Sequence, residues 1–103
     1  MFTVKETEYF KRISPGVWKD EERFEFIDWI AVNPMAGDVI PGTAGLRKVR
    51  WQRVGMGKRG GARVIYFNRL EAGFIVLLTV YTKAKFDNLR PEILIYLKEH
   101  AND

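Results

Sequence analysis

The chain has no cysteine and a single histidine among its 103 residues. Without thiols it has neither a disulfide framework nor a thiolate zinc site, and a reducing cytoplasm is the expected compartment. The one histidine, His100, stands in the last four residues of the sequence, where chain ends fray, so a structural or incidental role is expected for it. Long apolar runs are also missing. Nothing approaches the ~20 residues of a membrane span, so no membrane partner is expected. The opening MFTVKETEYFKRI mixes acids with its bases and has no continuous apolar stretch, unlike a signal peptide. No internal repeat, linker or low-complexity tract divides the chain. With 47% hydrophobic and 14% aromatic residues there is ample material for one modest core, and residues 1 to 103 read as a single domain.

Acid is the residue class whose absence says most. The net charge of +4 is modest, but its distribution is uneven. Met1 to Asp38 carries five Lys or Arg against eight Asp or Glu, and Glu71 to Asp103 carries four against five. Between them, Val39 to Leu70 holds Arg47, Lys48, Arg50, Arg53, Lys58, Arg59, Arg63 and Arg69 with no carboxylate, +8 in 32 residues. A block with no acid keeps its field uncancelled, which is the electrostatic footprint of a polyanion site.

Periodicity places that block in a fold. Phe2 to Val4 suits a short strand, and Glu6 to Ile13 a short helix ended by the turn Ser14-Pro15-Gly16. Lys19 to Val32 reads as a helix: Asp20, Glu21 and Glu22 favour its N-terminus, Phe24, Ile27, Ile30 and Ala31 share a face, and Asn33-Pro34 ends it. Residues 35 to 45 read as a loop containing Gly37, Pro41, Gly42 and Gly45. In LRKVRWQR, residues 46 to 53, strand parity sends Val49 and Trp51 toward a core and Lys48 with Arg50 to an open face. Arg63 to Phe67 and Phe74 to Tyr81 are two further strands joined through Asn68 to Gly73. The near-unbroken apolar FIVLLTVY predicts a central strand covered on both faces. Arg90 to Glu99 closes the chain as a helix, with Ile93, Leu94 and Leu97 at helical spacing and Pro91 in its first turn. The expectation is an α+β fold, order βααβββα, with helices on a small, mainly antiparallel sheet. Trp18, Trp29 and Trp51 are expected in the core or at a partner contact, with base stacking as the alternative.

The stretch GMGKRGGARVIYF contains a G-x-G-x-x-G at Gly55, Gly57 and Gly60. A dinucleotide fingerprint needs those glycines between a strand and a helix, whose N-terminus binds the pyrophosphate. Here Ala62 to Phe67 is β-branched and aromatic, hence strand. A Walker loop is excluded too, because Gln52 stands where its first glycine belongs and Arg59 follows Lys58 in place of Ser or Thr. What remains is a basic, glycine-rich loop between two strands.

GDVIPGTAGLRKVRWQRVGMGKRGGARVIYF, residues 37 to 67, followed by LLTVYTK, residues 77 to 83, resembles the HigB-type toxins of the RelE superfamily, from bacterial type II toxin–antitoxin modules. The resemblance implies a small twisted sheet with helices on one side. It further implies cleavage of mRNA, in many members only in the ribosomal A site, and silencing by a cognate antitoxin that often carries a helix-turn-helix domain. By the same resemblance Lys48 and Arg50 match a pair of basic catalytic positions, with Arg47 a competing alignment for the first. Arg63 matches the arginine after the loop and Lys83 the basic residue after the last strand. Arg47, Arg53, Lys58, Arg59, Lys85 and Phe86 are then expected to contact RNA or ribosome. The chain departs from some superfamily members in one respect: Leu89 stands where they carry a tyrosine or histidine, and Phe86 is the nearby ring, able to stack but not to move a proton.

The chemistry has its own requirements. Cutting RNA through its 2′-hydroxyl needs an acceptor for that proton, cations to stabilise the phosphorane, and a proton for the leaving 5′-oxygen. The basic block has no carboxylate, so Lys and Arg remain, and a lysine of depressed pKa, crowded by other cations, is the most plausible base. No metal or cofactor is expected. Two other functions stay open: a ParE-like toxin that blocks a protein such as DNA gyrase, and a non-catalytic RNA-binding module.

Overall fold

Thr7 starts the first helix and ties it to the sheet with one hydroxyl. Its Oγ1 accepts the Phe10 N–H at 3.1 Å, a helix N-cap, and donates to the Leu77 carbonyl oxygen at 3.0 Å. The computed structural model describes residues 1–51, 61–82 and 89–101. Strand β1 is Thr3–Glu6 and helix α1 is Glu8–Ile13, so strand and helix begin one and two residues later than expected. Ser14–Gly16 winds into a short 3₁₀ turn, and helix α2 follows at Asp20–Val32 with its three acids in the first turn, where they oppose the positive end of the helix dipole.

The face buried by α2 differs from expectation. Phe26, Ile30 and Ala31 are buried, whereas Phe24 is 54% exposed. The i, i+4 step from Phe26 to Ile30 sets the inward line, and Phe24, two positions earlier, lies about 200° around the helix from Phe26. Apolar character alone did not distinguish the two phenylalanines.

Strands β2 (Asp38–Val39), β3 (Arg47–Trp51), β4 (Ala62–Arg69) and β5 (Phe74–Thr82) complete a five-stranded sheet of order β1-β5-β4-β3-β2. β1 runs parallel to β5, and the other neighbours are antiparallel. The three strands β3, β4 and β5 form the expected meander, and β5 is central and buried at seven consecutive positions. The two-residue β2 was hidden in a segment rich in turn formers. The β4–β5 loop is tighter than expected, a 3₁₀ turn at Leu70–Ala72 closed by Gly73 at φ 86°, a left-handed conformation that suits glycine.

The sheet carries helices on both faces, which corrects the one-sided arrangement. Helices α1 and α2 cover a core of Phe10, Trp18, Phe26 and Ile30 over Val49, Val64, Tyr66, Ile75 and Leu77. Helix α3, Pro91–Glu99, inserts Leu94 into a second core of Leu46, Ile65, Phe67, Val76, Leu78 and Tyr81. Only Leu94 of α3 is fully buried; Ile93, expected inward, is 42% exposed. The tryptophans belong to the first core: Trp18 is buried, and Trp29 and Trp51 pack on its edge with ring centroids 5.3 Å apart.

One polar lock joins the segment after α2 to the sheet. The Tyr66 hydroxyl accepts the Gly37 N–H at 2.8 Å and donates to the Pro34 carbonyl oxygen at 2.8 Å, and Asn68 Nδ2 donates to the same oxygen at 2.9 Å. Arg47 Nη1 donates to the Gly37 carbonyl oxygen at 2.6 Å. A methyl group on Gly37 would lie 2.9 Å from Cε1 and the hydroxyl of Tyr66 and 3.0 Å from the Lys48 carbonyl oxygen. Gly37→Ala is therefore expected to lose roughly 1–3 kcal/mol in urea unfolding, as overpacking does.

Burial pushes the Tyr66 phenol above its ordinary value of 10.0, with the Gly37 bond and the Arg47 charge offsetting part of the rise. The unfolded chain therefore ionises first. The stability contributed by Tyr66 is fully present below about pH 10 and is lost as pH rises through the folded value. Tyr66→Phe should cost about 1–3 kcal/mol at neutral pH by orphaning the Gly37 N–H and should flatten the alkaline decline, both readable from melting temperatures across pH.

Candidate active site

Strand register brings the basic residues together. In the β3–β4 ladder Arg50 stands opposite Arg63 and Lys48 opposite Ile65; in the β4–β5 ladder Arg63 stands opposite Tyr81. Directly opposed residues share a face with Cβ atoms about 4.5–5.5 Å apart, and diagonal neighbours about 7–8 Å. Arg50, Arg63 and Tyr81 thus form one row across three strands, with Lys48 diagonal to Arg63. The row lies on the α3 side of the sheet, since Val49, Ala62 and Val64 alternate with it and face the first core.

The site residues differ in exposure. Arg50 is exposed and Lys48 half-buried, whereas Arg63 retains 7% of its surface. Strand β4 is covered on both sides over its first six residues, and the parity that sends Val64 to the first core sends Arg63 to the second face. Its Nη1 is buried and has no hydrogen-bond partner among the described residues. A dry guanidinium nitrogen whose cross-strand neighbours are another arginine and a tyrosine is a donor held ready for an anion, because burying such a group without a partner is costly. The planar fork can present two N–H groups to two oxygens of one phosphate.

Beside this row is a cleft of about 340 Å³ with Lys48 and Tyr81 in its wall. Ile40, Pro41, Leu89, Pro91 and Leu94 also line it. The face that parity suggested would be open is therefore a basic row next to an apolar cleft. Arg47 is placed apart: it points to the first-core side, opposite Tyr66, with its guanidinium on the Gly37 carbonyl. Of the two alignments for the first catalytic position, Lys48 shares the face of Arg50 and Arg63 and Arg47 does not. His100 stacks on Tyr96, ring centroids 4.0 Å apart, on α3. Arg53, Lys58 and Arg59, with the glycines between them, and Lys83, Lys85 and Phe86 lie outside the described residues.

Tyr81 is the member of the row that sequence reasoning did not select. Its place in FIVLLTVY made it look like core, and it is buried. Only the β4–β5 register, with its irregularity between Ile65 and Tyr66, sets it against Arg63. Among the described residues no group of three or more His, Cys, Asp or Glu side chains is placed to hold a metal ion, and no helix is long and apolar enough to cross a membrane.

No protein-family profile matches the chain. Among solved structures, the fold is similar to that of the E. coli toxin RelE, an arginine double mutant in the free state. The TM-score is 0.60 and the identity 13%, with 84% of this chain and 87% of that one covered. This likeness is one of fold: an α+β, RelE-like arrangement of sheet and helices.

A site that holds a cation buried against another cation trades stability for readiness to bind. Arg63→Met keeps an unbranched apolar stem and removes the buried charge, so the melting point in low-salt buffer should stay level or rise. Inorganic phosphate should raise the melting point of the unmodified protein by mass action and leave that of the variant unmoved. Thermal melts with and without phosphate measure both.

Proposed function

We propose that this chain is the toxin of a type II toxin–antitoxin module, of the HigB type, and that it inhibits translation by cutting mRNA in the ribosomal A site. The observation that carries the reading is Arg63: a guanidinium nine-tenths buried, with an unpartnered nitrogen, in a row with Arg50 and diagonal to Lys48. An anion of phosphate size completes that arrangement. The RelE-like fold supports it, and so do the motifs through which the sequence resembles HigB-type toxins.

Each side chain then has a role. The 2′-hydroxyl attacks the adjacent phosphorus while Lys48 accepts its proton. Arg63 and Arg50 hold the non-bridging oxygens, and their bonds strengthen as the phosphorane gathers charge. Lys83 adds a further cation. Lys58 and Arg59 of the glycine-rich loop, with Arg53, Lys85 and Phe86, grip the RNA and the ribosome. Protein cations supply all the charge stabilisation this scheme needs, so it assigns no metal or cofactor. The cognate antitoxin, carrying a helix-turn-helix domain, silences the toxin by covering the basic face over on the order of 1,200 Å² or more. The setting is the cytoplasm. A ParE-like inhibitor of gyrase would have no use for a desolvated arginine in a cationic row, which favours the nuclease.

Arg63→Ala should lower single-turnover cleavage on programmed ribosomes by ~10²-fold or more, the scale of losing one pre-organised donor, and should relieve growth arrest in cells. Affinity for the programmed ribosome should fall steeply with salt, by about −0.7 in log–log slope for each single-strand phosphate contact. An unchanged cleavage rate at saturating ribosome would remove Arg63 from the site, and a flat salt response would remove the polyanion.

A further inference from the structure

We infer that Tyr81 is the general acid of this site, the residue that protonates the leaving 5′-oxygen; the inference rests on the nuclease reading above. RNA cleavage needs a second proton-transfer group beyond the base, and by the resemblance above Leu89 stands where some superfamily members carry a tyrosine or histidine. The fold places a phenol elsewhere. Tyr81 stands directly opposite Arg63 on β5, in the same row as Arg50. It also lines the cleft that Lys48 and Leu89 line.

Reach is set by the sheet. Arg63 and Tyr81 are direct cross-strand partners on one face, with Cβ atoms about 5 Å apart, a separation that a single phosphate group spans. A phosphate forked by Arg63 thereby brings one of its bridging oxygens to the phenol. Tyr81 combines a ring packed in the second core with Ile65 and Leu94 and a place in the lining of the cleft. Burial at 4% exposure makes the ring rigid and excludes bulk water from competing for the proton.

The step balances without a co-reactant. The 2′-O–H proton passes to the Lys48 amine as the 2′-oxygen bonds to phosphorus. The bond from phosphorus to O5′ breaks with its electron pair going to O5′, which takes the phenolic proton of Tyr81. The products are a 2′,3′-cyclic phosphate and a 5′-hydroxyl, with Lys48 an ammonium and Tyr81 a phenolate beside Arg63. Proton exchange with water then resets both.

The test compares two mRNAs on programmed ribosomes, one ordinary and one with sulfur replacing the bridging 5′-oxygen at the cut site. A thiolate leaves without a proton, so only the ordinary substrate needs the acid. Tyr81→Phe should slow the oxygen substrate by about 10²–10⁴-fold, the range of a general acid, and leave the sulfur substrate near the rate of the unmodified protein. The ratio of the two rates within one variant does not depend on how much of it is folded. Equal slowing of both substrates, or of neither, overturns the role of Tyr81 while leaving the nuclease intact. If the unmodified protein cuts neither substrate, the nuclease reading falls first and this inference with it.

Discussion

Strand β4 is buried at positions 62 to 67 without a break, and the rest of the molecule is organised around that double coverage. Alternate residues of one strand feed two cores. Ala62, Val64 and Tyr66 join the helices α1 and α2, and Ile65 and Phe67 join α3. Arg63 falls on the second set by parity alone. It is held there because slipping the register by one would carry every apolar residue of β4 to the wrong face. The hydrophobic cost of that slip is what keeps a guanidinium buried opposite a second guanidinium.

The same strand anchors the basic face from the other side. Tyr66, buried under α2, takes the Gly37 N–H and gives its proton to the Pro34 carbonyl, so the segment leading into β2 is pinned to the sheet. Arg47 reinforces the pin at the Gly37 carbonyl. One arginine of the basic block thus works as a structural donor on one face, while Lys48 and Arg50, one and three residues later, face the other. Adjacent cations of a sequence run have different tasks because a strand alternates.

Charge and chemistry agree in this arrangement. The three ion pairs among the described residues, Lys11–Glu8, Arg23–Glu6 and Arg23–Asp20, all belong to the N-terminal helices and β1. The arginines of the β3–β4 row have no acid opposite them across the ladder. A desolvated arginine shares one row with Arg50 and Tyr81, with Lys48 on its diagonal, so strand register fixes these groups relative to one another.

Much of this was determined by the sequence alone, for local reasons. An acid-free block, β-branched runs and turn residues act within a few positions, so the basic segment, the meander of three strands, the central strand at residues 74 to 82, the final helix and the exclusion of a nucleotide loop were all legible. So was the parity that pairs Lys48 with Arg50. The tertiary structure decided what depends on partners far along the chain. It chose Phe26 over Phe24 as the buried ring of α2, put α3 on the face opposite α1 and α2, and added the short β2. It gave Arg47 the Gly37 carbonyl to hold. It buried Arg63 and set Tyr81 beside it, because cross-strand register is fixed by how two hydrophobic faces are covered at once, and no single strand carries that information.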